Sequence, residues 1–315
     1  MSSRFEQVDL SAVRPISIAD RESKISVSDV LDPAVLDGAG VNSQALLAVF
    51  PDILAARSLR RVAGALRTAR DAGREIVWMI GAHTIKTGLS RCLGWLIDEG
   101  YITCVASTGS SVIHDLELAF FGNTSEDVAR ELPRGRFGMS SETADHFNAA
   151  VARADAERLG FGEAVGDYII ACGAPHAEVS LFAAAHRRGI PATVHVAFGT
   201  DITHQHPGLQ PAAVGEATMR DFRIFTARAG RMFDRGVAVV FGSAVILPEV
   251  FLKAVSIQYN LGRQPTGVLA ASFDMLPQYR VRENVLSRPF GGACEAHAIT
   301  GHHEIMMPLL CLLLR

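Results

Sequence analysis

The chain has 315 residues, 49% of them hydrophobic and 20% charged, with a formal net charge of −3. This is globular composition, with enough apolar residue for one large α/β domain, and it leaves no electrostatic case for nucleic acid or an anionic membrane as a partner. The five cysteines form no CxxC pair and no zinc-type spacing, residues 1–15 carry no apolar signal segment, and the apolar run 305–314 is too short to span a bilayer, so a cytoplasmic protein is expected.

Residues 1–30 are polar and weakly patterned and read as an arm or edge element, leaving 31–315 as a single domain. Helical and strand-like segments then alternate. Residues 53–72 repeat apolar side chains at helical spacing until Gly73, and 75–80 (EIVWMI) form a short apolar run that stops at Gly81, as a buried parallel strand does. A helix over 89–99, a strand over 102–107 and helices over 113–121 and 140–159 follow. Residues 168–172 fit either strand or helix, and 175–188 read as a helix opened by Pro175. The remaining strands are expected at 192–198, 237–241 and 267–273, separated by helices over 215–231 and 248–261, with a closing helix over 303–314. Strands separated by helices mean βαβ units and a mainly parallel sheet with helices on both faces, so the five strands 75–80, 102–107, 192–198, 237–241 and 267–273 should lie parallel in one sheet.

Ligands of open α/β sheets bind beyond the carboxyl ends of the strands. The first strand is followed by Gly81-Ala82-His83-Thr84-Ile85-Lys86-Thr87-Gly88, and the second by Thr108-Gly109-Ser110-Ser111 and then His114, Asp115 and Glu117. Later strand ends supply Gly199-Thr200-Asp201 with His204 and His206, then Gly242-Ser243 with Glu249, then Ser272 and Asp274. Turn chemistry accounts for any one of these, but less well for polar residues gathered on one edge of the sheet. Glycine and hydroxyl loops that lead into helices suit phosphate, although neither GxGxxG nor the Walker pattern is present. Lys86 is one of only three lysines, and it reads as a phosphate cation, an imine former or a solvated loop residue. The HxH of 204–206 and the HHE of 302–304 could jointly hold a metal if they meet. His114 and Asp115, adjacent on a helix, should point apart.

On these segments the chain resembles the deoxyhypusine synthase family from about residue 75 onward. GAHTIKTG and the following LSRCLGWLIDEGYITCVASTGSSVIHDLE resemble that family's first nucleotide loop, helix, strand and second loop. FGTDITHQHPG resembles its loop with a substrate-facing Asp, here Asp201, and TGVLAASFD and AITGHHEIMMPLL resemble its next strand and closing helix. The resemblance implies a Rossmann-like NAD-binding fold and a homo-oligomer, a dimer or tetramer. The family's imine-forming lysine lies between the last strand and the closing helix, and here 275–304 holds no lysine; the family's histidine after the glycine run is also missing. The expectation is therefore an NAD-binding enzyme, a transferase or oxidoreductase on C–N bonds of a small amine, that does not itself make deoxyhypusine. The alternatives are a metal-dependent hydrolase using the histidine clusters and a non-catalytic nucleotide-binding module. Under the leading reading Gly81, His83, Thr87 and Gly88 from the first loop line the cofactor, together with Thr108, Gly109 and Ser110 from the second and Ser272 and Asp274 from the last strand. Asp115 borders the cofactor and faces the substrate alongside Asp201, His204, His206 and Glu249. Asp201 is expected to hold the substrate cation and His204 to transfer the proton, with Lys86 and Glu249 completing the catalytic set.

Overall fold

A computed structural model describes residues 10–36 and 50–315. Among them, β1 (Ser23–Ser26) precedes α1 (Leu54–Asp71), β2 (Ile76–Ile80), α2 (Ala82–Lys86), α3 (Ser90–Asp98), β3 (Cys104–Thr108), α4 (Gly109–Phe121) and β4 (Asn123–Glu126). Then come α5 (Ser141–Ala156), α6 (Phe161–Ala171), α7 (Leu181–Arg188), β5 (Ala192–His195), α8 (Pro211–Met232), β6 (Val237–Phe241), α9 (Ile246–Asn260), β7 (Val268–Asp274), β8 (Cys294–Thr300) and α10 (His303–Leu314).

Six of these strands form one sheet in the order β5-β3-β2-β6-β7-β8, and every neighbouring pair is parallel. Alternation along the strands sets two cores. Ile76, Trp78 and Ile80 point into one with α1, α3, α4 and α10, while Val77 and Met79 point into the other with Phe225 of α8 and Phe251 of α9. The central strands β2, β3 and β6 are buried along their whole length, which is why β2 and β6 read as unbroken apolar runs and β3 departs from one only at Ser107 and Thr108. Stacked rings of Trp78, Phe241 and Phe273 cross three adjacent strands within the first core.

All five expected strands are present and parallel, with small differences in length. β5 ends at His195 because 196–201 turn away from the sheet. The helix expected from Pro175 starts only at Leu181, where Ser180 accepts the Ala183 N–H as its cap. The ambiguous stretch 168–172 belongs to a helix, α6, apart from Cys172, its terminal cap. The sixth strand, β8, is not among the expected ones. Its residues CEAHAIT are mostly exposed at the sheet edge and lack the apolar, β-branched run that marks a buried strand.

The N-terminal segment lies against the body of the fold. β1 pairs antiparallel with β4, Ile16 bridges to Ser140, and Arg21 is buried against Glu117 of α4 at 2.8 Å. No helix among the described residues is long and apolar enough to cross a membrane.

Candidate functional site

From β2 the chain steps to β3 and β5 on one side, then returns to β6 and continues to β7 and β8 on the other. The direction of winding thus reverses between β2 and β6, the place beyond the strand carboxyl ends where doubly wound sheets bind their ligands. Gly81 follows β2 and Gly242 follows β6. A Cβ on Gly81 would run into the Gly242 carbonyl oxygen, so this glycine is required by backbone contact. Gly242 has φ +69°, and a Cβ there would lie 2.6 Å from Cε1 of His303.

His303 opens α10, and its ring sits over this reversal point. The His83 ring from α2 meets it edge-on at 5.2 Å, and the Phe241 ring lies at the same separation. Only 2% of His303 is exposed, and neither ring nitrogen has a hydrogen-bond partner of proper geometry among the described residues. Burial pushes His303 below the usual histidine range, opposed by Asp274 and Glu304. His83 is lowered in the same way, first by burial and then by the charges of Lys86 and His303. Three elements, α2, α10 and β7, therefore bring Lys86, His83, His303 and Asp274 together.

The next strand end is arranged differently. Gly109 is the first residue of α4, and a Cβ there would collide with Oδ2 of Asp201. The Asp201 carboxylate accepts the Ser110 N–H, so it occupies the anion-favouring position at this helix N-terminus. Asp201 is 7% exposed, Oδ2 has no partner among the described residues, and burial raises its pKa to about 6. His204 accepts the N–H groups of Gly199 and Asp201 on Nδ1, both at 3.1 Å. Its proton therefore sits on Nε2, which is buried and unpartnered among the described residues, and that nitrogen can donate but not accept. Burial lowers His204 as well. Thr108 bonds Ser110 Oγ at 3.0 Å within the same turn.

Several other expected site residues are engaged in holding the fold. Asp115 is fully buried and accepts from Ser180 Oγ, Leu181 N–H at 2.8 Å and Phe182 N–H, thereby capping α7; burial raises its pKa to about 6 against those bonds. Thr87 bonds the His83 carbonyl at 2.8 Å, and Gly88, with φ +80°, leaves no room for a Cβ beneath the Asp29 carbonyl. Glu249 lies on α9 and pairs with Lys253, with Arg280 at 3.1 Å and with Asn284 at 2.9 Å; the Lys253 bond above all keeps its pKa low. Ser272 and Asp274 line a cavity of about 210 Å³ at the ends of β7 and β8, with Thr300, Tyr279 and Arg282. His206 donates from Nε2 to the Gly138 carbonyl at 2.8 Å and pairs with no second histidine among the described residues. No group of three His, Cys, Asp or Glu side chains among the described residues is placed to share a metal.

Two features lie outside the sequence reading. His303 enters it only as part of a possible metal pair, because β8 carries no strand signal and 300–303 therefore do not register as a sixth strand end. Arg21 falls in the polar arm, yet its guanidinium anchors Glu117, which also accepts from Thr124 Oγ1 at 2.6 Å and Thr143 Oγ1 at 2.9 Å. His114 donates from Nδ1 to that Thr124 hydroxyl at 2.7 Å, and burial lowers it to about 4. His114 and Asp115 do point apart, as adjacent helical residues must.

A family model described as the arginine dihydrolase ArgZ-like C-terminal Rossmann-fold domain matches residues 60–154. No curated protein sequence matches the chain. Among solved structures, AgrE in its ternary complex with ornithine and NAD+ is similar over 81% of this chain, at 16% identity and a TM-score of 0.54. The chain spans only 32% of the AgrE chain's length. A LOR/SDH protein from Methanococcus maripaludis S2 is similar over 84% of this chain and 71% of its own, at 15% identity and a TM-score of 0.52. A protein described as a deoxyhypusine synthase from Entamoeba histolytica aligns over 87% of this chain and 92% of its own, at 10% identity and a TM-score of 0.48, values that do not reach the family. The family match and the likenesses to AgrE and the LOR/SDH protein establish a Rossmann-type α/β fold.

Proposed function

We propose that the chain binds an NAD-type dinucleotide across the β2–β6 reversal point and acts on a small amine, removing hydride from the carbon that bears nitrogen. The observation that carries this reading is the arrangement there: Rossmann strand order, two glycines that bring the backbones together, and a buried cluster of Lys86, His83, His303 and Asp274 in which the His303 nitrogens lack partners among the described residues. Unpartnered buried polar groups suit a bound polar ligand, because leaving them unpaired costs stability. AgrE, whose fold is similar, was solved with NAD+ and ornithine. NAD+ supplies the hydride acceptor; the protein's part is to hold and orient the reactants.

Lys86 would meet phosphate as a cation, and Ser272 and Asp274 would border the cavity at the β7 end. Thr108, Gly109 and Ser110 can receive an anion only when Asp201 leaves the α4 N-terminus, and in that displaced position Asp201 is free to hold a substrate ammonium. An iminium product is stabilised by such carboxylates in a site that excludes water. The absence of an imine lysine in 275–304 keeps deoxyhypusine synthesis outside this reading. A homo-oligomer is part of the proposal, tested by light scattering.

The experiment is to incubate the protein with NAD+ and a panel of small amines that includes L-ornithine, following NADH absorbance, and to identify any co-purifying molecule by mass spectrometry. NADH formation with one amine class supports the reading. Binding of NAD+ without turnover on any amine favours the non-catalytic module instead.

A further inference from the structure

We propose that His303, with His83 beside it, is the proton acceptor for the amine at the β2–β6 reversal point, an inference that rests on the dinucleotide reading above. An amine near neutral pH is an ammonium, and its nitrogen lone pair is tied up in an N–H bond. Hydride cannot leave the neighbouring carbon until that pair is released, so a neutral base must take one proton first.

His303 meets the requirements of place and state. Its ring covers Gly242 at the reversal point, where even a Cβ would lie 2.6 Å from Cε1 and 3.0 Å from Nε2. The ring is 2% exposed, and neither nitrogen has a hydrogen-bond partner of proper geometry among the described residues; with the Phe273 carbonyl near one nitrogen, the lone pair of the other is what the ring offers to a ligand. The groups that bear on its charge are Asp274 from β7, Glu304 and His302 from its own helix end, and His83 from α2, with the Phe273 carbonyl also favouring the protonated ring. Burial outweighs the acids in the free protein and keeps both facing rings below their usual range, so that each is ready to accept. His204 does not compete for the role, because its Nδ1 already accepts two backbone N–H groups.

The step balances. The substrate ammonium passes one proton to the His303 ring, giving the neutral amine and an imidazolium. The bonding pair of the C–H bond beside nitrogen then departs as hydride to NAD+, and the nitrogen lone pair closes a C=N bond. The products are an iminium ion and NADH, with the proton held on the ring. Asp274, close to both rings, stabilises the imidazolium, and His83 edge-on at 5.2 Å can carry the proton outward.

The test reads the ring nitrogens of His303. Histidine-labelled protein is saturated with NADH, which cannot take a hydride, and L-ornithine is titrated in near neutral pH while ring nitrogens are followed by nitrogen-15 NMR. The His303 signal is assigned by its loss in His303→Gln, or by through-bond correlation in the wild type should that variant not fold. The ring is expected to be neutral in the free and NADH-bound protein, and its nitrogen-15 signals are expected to move as the amine binds, because the acceptor nitrogen receives the ammonium N–H before the proton transfers. A folded His303→Gln is expected to lose roughly 100-fold or more in NADH formation, compared at saturating NAD+ and amine. Ring nitrogens that do not respond at saturating amine, an amine that does not bind the NADH-loaded protein, or a folded His303→Gln that keeps its turnover overturns the proposal. If NADH itself leaves the wild-type Tm unchanged, the dinucleotide reading is what fails; the amine titration is then read on the protein alone, where unresponsive ring nitrogens at saturation still count against His303.

Discussion

Gly81 and Gly109 look alike in the sequence, each ending a buried strand and opening a polar turn into a helix, yet they are glycine for different reasons. At Gly81 the obstacle to a side chain is backbone, the Gly242 carbonyl, and the His303 nitrogens nearby have no partners among the described residues. At Gly109 the obstacle is the chain's own Asp201 carboxylate, which fills the position an external anion would take. One strand end leaves buried nitrogens without partners of proper geometry among the described residues, and the other is filled by an internal carboxylate. Glycine after a strand is therefore not by itself a mark of a phosphate site; what the missing Cβ makes room for decides the matter.

Substitutions separate the two cases. Gly81→Ala should be the most damaging, because the backbone it meets cannot move aside; a loss of about 3 kcal/mol or more in denaturant unfolding is expected, and a loss below about 1 kcal/mol would break the contrast. Asp115→Ala should cost roughly 2–3 kcal/mol, since the Ser180 hydroxyl and two buried N–H groups lose their acceptor and α7 its cap. Urea midpoints at constant m-value measure that loss, and an unaltered NADH-induced rise in Tm in the same variant would assign Asp115 to the fold rather than to the cofactor.

Asp201 gives a pH signature. Its folded pKa of about 6 lies above the ordinary 3.8, so between those values the native state holds a proton that the unfolded chain has released. The stability it contributes is full below pH 3.8 and is lost as pH rises through about 6. Asp201→Asn carries no such charge, so relative to wild type it should gain on the order of 2 kcal/mol between about pH 4 and pH 7; a flat difference across that range would contradict the buried, ionisable carboxylate. Gly109→Ala should be the mildest, about 1 kcal/mol, because the Asp201 side chain can swing away, and Asp201→Ala in the same chain should recover most of it in a double-mutant cycle.

The fold is largely legible in the sequence because the five recognised strands are buried on both faces and so appear as short, mostly apolar runs, interrupted by few polar residues such as Ser107, Thr193 and Ser272, that stop at polar turns. β8 is not, because an exposed edge strand carries Glu295 and His297 and shares no such pattern. That omission propagates: without β8, His303 does not read as a strand-end residue. Contacts distant in sequence are also out of reach. Asp115 caps a helix that begins 66 residues later, and Asp201 lies against Gly109 of a different strand end, and neither pairing leaves a local signal. The polar character of the strand ends is correctly located, but which side chains face a ligand and which are consumed by the fold is decided by packing.

The central claim, that a dinucleotide occupies the β2–β6 crevice, is tested most directly by thermal unfolding with and without NAD+. A ligand that binds only the folded state at a hundred times its Kd adds about 2.7 kcal/mol, so Tm should rise by roughly 4 °C or more in wild type and by less in Lys86→Met. A folded wild-type protein whose Tm is unmoved by millimolar NAD+ and NADH would contradict it.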